Sequence, residues 1–216
     1  MRKLRPLAMT LVAVFAMGAV MSSGASATSF HWNSKAADGH TILNGSQIGL
    51  HKFTTTAGEV TCEEANFSGT TIENTTTDTT TTPTFGKCHI NFFGSKVAAT
   101  VTMNGCTLTV TSHRTTAGVT TSTKIHLICT FGEGPKITAA GCTIKVNEGQ
   151  TWSGGSAENV ENHLKVILNI NTIAYSHSGF TCGTGSGTTG TYKGETTVKG
   201  SATNGSAVSI SYDVAP

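Results

Sequence analysis

The stretch VAATVTMNGCTLTVT, residues 97–111, decides the fold. Apolar residues alternate with threonine on both sides of Asn104-Gly105, a dipeptide suited to a type I′ turn because both turn positions need positive φ. Read as a hairpin, the stretch sets Met103 against Cys106, Val101 against Leu108 and Ala99 against Val110. Those six share one face, with Thr102, Thr107, Thr109 and Thr111 on the other. This is the period-2 pattern of a half-buried strand. The next segment, Thr123 to Phe131, places Ile125, Leu127, Cys129 and Phe131 on one parity. Setting Cys106 opposite Cys129 also brings Leu108 to Leu127 and Val110 to Ile125. The run from Val97 to Val146 thus reads as a four-stranded meander.

The cysteines constrain the pairing further. Residues flanking a two-residue loop form a hydrogen-bonded pair, so Cys106 is non-hydrogen-bonded towards its other neighbour. Such pairs have Cα atoms about 4.5 Å apart, within the range a disulfide spans. Six cysteines, Cys62, Cys88, Cys106, Cys129, Cys142 and Cys182, allow 15 connectivities. The preferred set is sequential: Cys62–Cys88, Cys106–Cys129 and Cys142–Cys182. Under the first bridge Val60 meets Ile90, and under the third Ile144 meets Phe180. The competing set is Cys129–Cys142 with Cys88–Cys106 and Cys62–Cys182. A tight turn at Gly132-Glu133-Gly134-Pro135 argues against that set, because it pairs Cys129 near Thr138 and leaves Cys142 out of reach.

Outward from this core, residues 1–27 carry the marks of a cleaved signal peptide. Arg2, Lys3 and Arg5 precede an apolar run from Leu7 to Met21, and Ala25-Ser26-Ala27 supplies the small residues for cleavage. Residues 28–216 then form a single secreted β domain. The leader takes three of the 14 basic residues and none of the 12 acids, leaving 11 against 12. A mature chain near neutrality lacks the basic footprint of a nucleic-acid binder. An even cysteine count behind a leader points to disulfides and an oxidising compartment, and the absence of C-x-x-C spacing argues against zinc.

Residues 28–58 read as a first strand or two, and Gly58–Thr71 as the next. Thr70–Thr84 reads as an exposed threonine-rich hairpin or a mucin-like loop. Asn147–Asn162 reads as a long loop with one helical turn at Ala157–Asn162. Leu164–Tyr175, apolar on both parities, reads as a strand buried on both faces. Gly179–Gly190 reads as a glycine-rich loop pinned by Cys182, and two strands follow near Thr191–Gly200 and Ala207–Val214. The fold class is all-β, a single antiparallel sandwich or barrel-like domain braced by disulfides.

Motifs assign no catalytic residue. Gly185-Ser186-Gly187-Thr188-Thr189-Gly190 matches G-x-G-x-x-G, but without the following helix that a dinucleotide site needs, so no cofactor is expected. G-x-S-x-G, H-E-x-x-H and P-loop signatures are absent. His31, His40 and His51 lack the spacing that sets two on one strand face beside an acid, and His126 has the parity opposite to its core neighbours; all read as solvated or satisfied histidines and no metal is expected. Glu63 and Glu64 point to opposite faces if both lie in one strand. Trp32 and Trp152 are the candidate ligand-binding residues: each reads either as a ring that plugs an end of the core or as an exposed aromatic that stacks a sugar ring. The threonine rows offer a hydroxylated face to glycans or cell wall.

The leader, the segment from Phe53 to Cys62 and the turn Met103-Asn104-Gly105-Cys106 resemble secreted, cysteine-containing β-rich proteins of soil actinobacteria. The resemblance implies secretion and a β fold; it implies no activity, ligand or catalytic residue. The sequence therefore favours a non-enzymatic extracellular module that meets a surface, a matrix, a glycan or another protein, with no membrane partner after cleavage. The alternative is a secreted hydrolase whose site is assembled from residues distant in sequence.

Overall fold

Alternating apolar and hydroxylated residues make strands of most of the described residues. The computed structural model describes residues 30–34, 39–71, 75–76, 78–92, 95–114 and 121–214, and no helix occurs among them. The signal-peptide expectation for residues 1–27 lies outside the described residues. In chain order the strands are β1 (Phe30–Ser34), β2 (Thr41–Gln47), β3 (His51–Thr55), β4 (Gly58–Thr71), β5 (Thr75–Thr76), β6 (Asp78–Phe92), β7 (Ser95–Thr102) and β8 (Cys106–Arg114). There follow β9 (Thr121–Cys129), β10 (Lys136–Ala139), β11 (Cys142–Val146), β12 (Thr151–Val160), β13 (His163–Gly179), β14 (Gly183–Ser201), β15 (Ala207–Val208) and β16 (Ile210–Val214).

The pairings close on themselves. β2 and β3 lie end to end along β4, with Ser46 opposite Asn66 and His51 opposite Cys62. In the same way β7 and β8 both run antiparallel to β6, β9 and β10 follow β8 and β7, and β11 and β12 follow β10 and β9. β11 and β12 both pair with β13, β13 with β14, and β14 returns to β2 and β3. Counting β2–β3, β4, β6, β7–β8, β9–β10, β11–β12, β13 and β14 gives eight staves in sequence order, the last bonded to the first. The architecture is a closed up-and-down barrel, which leaves its staves no free edge.

Staves this long stay curved only with irregularities, and most of these fall at one height, with the bulge of β12 between Ser153 and Gly155 above it. The breaks are Ile48–Leu50, Met103–Gly105, Thr130–Pro135 and Asn147–Gln150, with Lys87 and Thr172 in positive φ on the continuous staves β6 and β13. Bulges of this kind bend strands and raise their twist. We call this belt the waist. Asn104 Nδ2 donates to the Gly134 carbonyl across it, and the Gln150 side chain joins the carbonyls of Asn147 and Ala174.

Asn104-Gly105 is thus a turn, but not a hairpin. Both residues have positive φ and Cys106 N–H donates to the Met103 carbonyl. The flanking strands do not pair: Ala99 lies opposite Cys88 and Ala139, and Val110 opposite Thr79 and Ile125. Long β6 offers one edge to both β7 and β8, and that pairing outcompetes the local one.

The register of β8 on β9 sets Cys106 opposite Cys129, Leu108 opposite Leu127 and Val110 opposite Ile125. The bridges are Cys62–Cys88, Cys106–Cys129 and Cys142–Cys182, with Cα separations of 3.9, 4.0 and 5.5 Å. Val60 lies opposite Ile90. Ile144 instead faces His177, and Phe180, fully exposed, sits in the hairpin between β13 and β14. Phe131 is exposed because the Thr130–Pro135 break swings it off the core face.

Four other segments differ from expectation. Residues 151–160, read as loop and helical turn, are the strand β12. Gly183–Gly190 lies within β14. The threonine-rich run forms part of β6, with Thr79 and Pro83 buried. β13 turns Leu164, Leu168, Ile170, Ile173 and Tyr175 inward and leaves Asn169, Asn171 and Thr172 exposed, so it is a barrel stave with one inner face.

Both ends are occupied. At the lower end, marked by the hairpins at residues 56–57, 140–141 and 180–182, fully buried Tyr175 lies across the barrel. Thr56 N–H donates to its hydroxyl, and Phe53 meets its ring edge-on at 6.5 Å. At the upper end β1, β5 and β16 form a small second sheet, and Ile210 packs on Leu43 and Leu164.

Candidate binding site in the barrel lumen

The inward faces do not fill the barrel. Below and at the waist a cavity of ≈ 100 Å³ remains, walled by Phe53, Phe85, Met103, Leu127, Ile137 and Trp152 among others. A second cavity of ≈ 70 Å³ lies above, against Leu43, Phe67, Val110, Val166 and Val198. Leu108, Ile125 and Leu168 border both, so the two are stacked along the barrel with these three side chains between them. An eight-stranded barrel is just wide enough to be filled by side chains or to hold one small ligand. This one keeps unfilled volume.

The lower cavity carries one polar device. His51 begins β3 in the parity of Phe53, so it points inward and is buried. Gly194 makes room for it: a Cβ there would lie 2.3 Å from His51 Nδ1. The ring's Nε2 is 3.2 Å from the Glu195 carbonyl and its Nδ1 is 2.6 Å from Tyr192 Oη. A carbonyl can only accept, so Nε2 carries the proton and Tyr192 donates to Nδ1. Burial lowers the His51 pKa from its ordinary value, against a smaller opposing effect from the bond to Glu195. Burial likewise raises the Tyr192 phenol well above its ordinary value. Both groups are neutral near pH 7. Phe67 and Phe85 enclose the imidazole at 5.7 and 6.3 Å.

The upper cavity is lined by Thr79 and Thr196, each 4% exposed, whose Oγ1 atoms are buried without a hydrogen-bond partner. No lysine, arginine or carboxylate is among the residues lining either cavity.

The residues singled out in the sequence fall differently. Trp152, read as a core plug or an exposed sugar platform, is 7% exposed and forms part of the lumen wall, its indole N–H donating to Gln150 Oε1. A large apolar ring on an inward parity gains more from burial than a loop could give it. Trp32 lies in β1, opposite Tyr212 and Thr76; its side chain is outside the described residues, as is that of His31. His126 is exposed on the outer wall, in a row with Thr109 and Thr151. Glu64 pairs with Lys87, and Glu63 lies 4.0 Å from His89, both outside the barrel. The run Gly185–Gly190 seats aromatic rings rather than phosphates: a Cβ at Gly187 would stand 2.7 Å from the Tyr175 hydroxyl and one at Gly185 2.8 Å from His177 Nε2.

His51, Tyr192, Thr79 and Thr196 were missed as a set. Parity was the available signal: Tyr192, Gly194, Thr196 and Val198 alternate inward along β14, as His51 and Phe53 do along β3. No protein-family model, no curated protein and no solved structure matches the chain.

Proposed function

We propose that this protein is a non-enzymatic extracellular binding module that carries a small apolar molecule in its barrel lumen. The observation behind this reading is the pair of stacked cavities, ≈ 100 and ≈ 70 Å³, lined mostly by apolar side chains. For scale, a dry cavity of about 150 Å³ lined by Leu, Ile and Phe binds benzene. Three disulfides suit an oxidising compartment, and with the leader at residues 1–27 they support secretion. The outer wall bears half-exposed ion pairs such as Lys52–Glu59 and Lys165–Glu195, a wall suited to water rather than to lipid. The glycan form of the reading loses Trp152, which faces inward. The hydrolase form would need its acid and histidine in a cleft, whereas Glu63 and His89 stand on the outer face.

Hexane is the probe for the test. It should raise the melting temperature progressively as its concentration increases, because a ligand bound only by the folded state stabilises it. Val101→Phe, which puts a ring into the lower cavity, should abolish that rise while the protein stays folded. No rise with hexane, or an undiminished rise in the variant, would overturn the reading.

A further inference from the structure

We infer that the lumen selects a thin, unbranched hydrocarbon lying along the barrel axis through both cavities, in preference to a ring or an alcohol of the same carbon number. This rests on the lumen being a binding site at all; it adds the shape and chemistry of the guest.

Three observations point there. The first is size. At ≈ 100 and ≈ 70 Å³ each cavity is smaller than the dry cavity of about 150 Å³ that holds benzene, whereas the two together exceed it. A guest of that volume has to span both. The second is the partition between them, made by Leu108, Ile125 and Leu168. Ile125 branches at Cβ and is stiff about χ1. The leucines branch one carbon further out, and Leu168 reaches over Gly155, its Cδ2 3.4 Å from where a Cβ there would stand. Turning the ends of the two leucines opens a passage for a polymethylene chain. A ring is wider and would have to displace Ile125 or the staves themselves, which a packed core resists. The third is polarity. The lumen surface is almost wholly apolar. His51 is engaged by Tyr192 and the Glu195 carbonyl, Thr81 Oγ1 donates to the Ser68 carbonyl, and the hydroxyls of Thr79 and Thr196 are themselves covered. A hydroxyl on the guest is therefore left without a partner, and a charge without a counter-ion, and an apolar site penalises both.

The test titrates hexane, cyclohexane and hexan-1-ol into the oxidised protein, followed by NMR. Hexane should give intermolecular NOEs to methyl groups below the partition, at Ile137 and Val146, and above it, at Leu43 and Val198, with one dissociation constant for both sets. Cyclohexane should bind roughly tenfold or more weakly, as expected when a packed site is overfilled. Hexan-1-ol should also bind roughly tenfold or more weakly, because its hydroxyl goes unmet. Leu168→Ala removes much of the partition and should bring cyclohexane to within about threefold of hexane. Leu168→Met keeps the volume but loses the branch, and should narrow the preference in the same direction, so the partition is tested even where the alanine variant does not fold. Cyclohexane or hexan-1-ol binding as tightly as hexane, hexane contacts confined to one cavity, or a preference unaltered in the Leu168 variants would overturn the inference while leaving the apolar carrier standing. If none of the three probes binds the wild type, both readings fail together.

Discussion

The two halves of the barrel, divided at the waist, are stabilised in different ways. The lower half, built on β3, β7, β10 and β11, holds Cys62–Cys88 and Cys142–Cys182, with Cys106–Cys129 just at its upper border. Its inward side chains are mostly aliphatic or aromatic, and its buried imidazole, His51, is hydrogen-bonded on both nitrogens, which leaves His177 Nδ1 as its one buried side-chain atom without a partner among the described residues. The upper half, built on β2, β8, β9 and β12, buries unpartnered hydroxyls of Thr41, Thr79, Thr123 and Thr196. It is closed without a disulfide, by Ile210 packing against Leu43 and Leu164, by the pairing of β15 with β14 and by a hydrogen bond from Ser209 Oγ to Asn162 Oδ1. Covalent bracing is therefore placed in the half with fewer unmet buried polar atoms, and the half with more of them is closed by non-covalent contacts.

Reduction breaks this contrast from the lower side and has the largest expected effect. The bridges span 26, 23 and 40 residues. Each stabilises by roughly 3 kcal/mol through restriction of the unfolded chain. At ~2–4 °C per kcal/mol for a chain of this size, losing even one bridge lowers the melting temperature by roughly 6–12 °C. Scanning calorimetry of the Cys62→Ala/Cys88→Ala variant checks the figure. An unchanged melting point would mean that the lower half draws its strength from packing.

Ile210→Ala attacks the upper side. Ile210 is buried against Leu43 and Leu164, and a Cβ at Gly200 would lie 2.5 Å from its Cγ2, so the seat is close-fitting. Truncation of a buried isoleucine to alanine costs about 2–4 kcal/mol. The loss should be local: amide hydrogen exchange in β2 and β8 should accelerate well before that in β3 and β11. Uniform acceleration along all staves would show that the barrel opens as one unit and that its halves differ in composition alone.

How far the sequence could be read tracks the range of the interactions. The pairing of Cys106 with Cys129 was legible because sulfur chemistry and apolar parity select the same register within 23 residues. The Asn104-Gly105 turn was legible as a turn, since its positive φ values are a local property. What followed it was not, because β7 and β8 are placed by β6, and that preference lies in closure of the whole barrel. The glycines of β14 up to Gly190 looked like loop residues for the same reason: their purpose, making room for Tyr175 and His177, sits on a neighbouring stave. Trp152 was misplaced because a Ser- and Gly-rich context was weighed above its parity in β12. The lumen itself leaves no motif, since a cavity is the volume that inward side chains fail to fill.

The smallest effect is a pH dependence that separates the halves once more. Burial holds the His51 pKa below its ordinary 6.5, so the folded state favours the neutral ring. Above that value both folded and unfolded chains carry it neutral and no stability is lost. As the pH falls below 6.5, the unfolded chain takes up a proton that the folded chain refuses, and stability declines until the pH passes the depressed folded value. The melting temperature should therefore drop steadily from about pH 7.5 to about pH 5. His51→Gln, which can still accept from Tyr192 and donate to the Glu195 carbonyl, should flatten that slope. His126 on the outer wall supplies the control: His126→Gln should leave the slope as it is. Because His51 lies at the waist against the lower cavity, acid should hasten exchange in β3 and β14 first, the reverse of the order expected for Ile210→Ala. A slope that survives His51→Gln would assign the acid sensitivity to surface groups and leave the buried imidazole as an inert part of the wall.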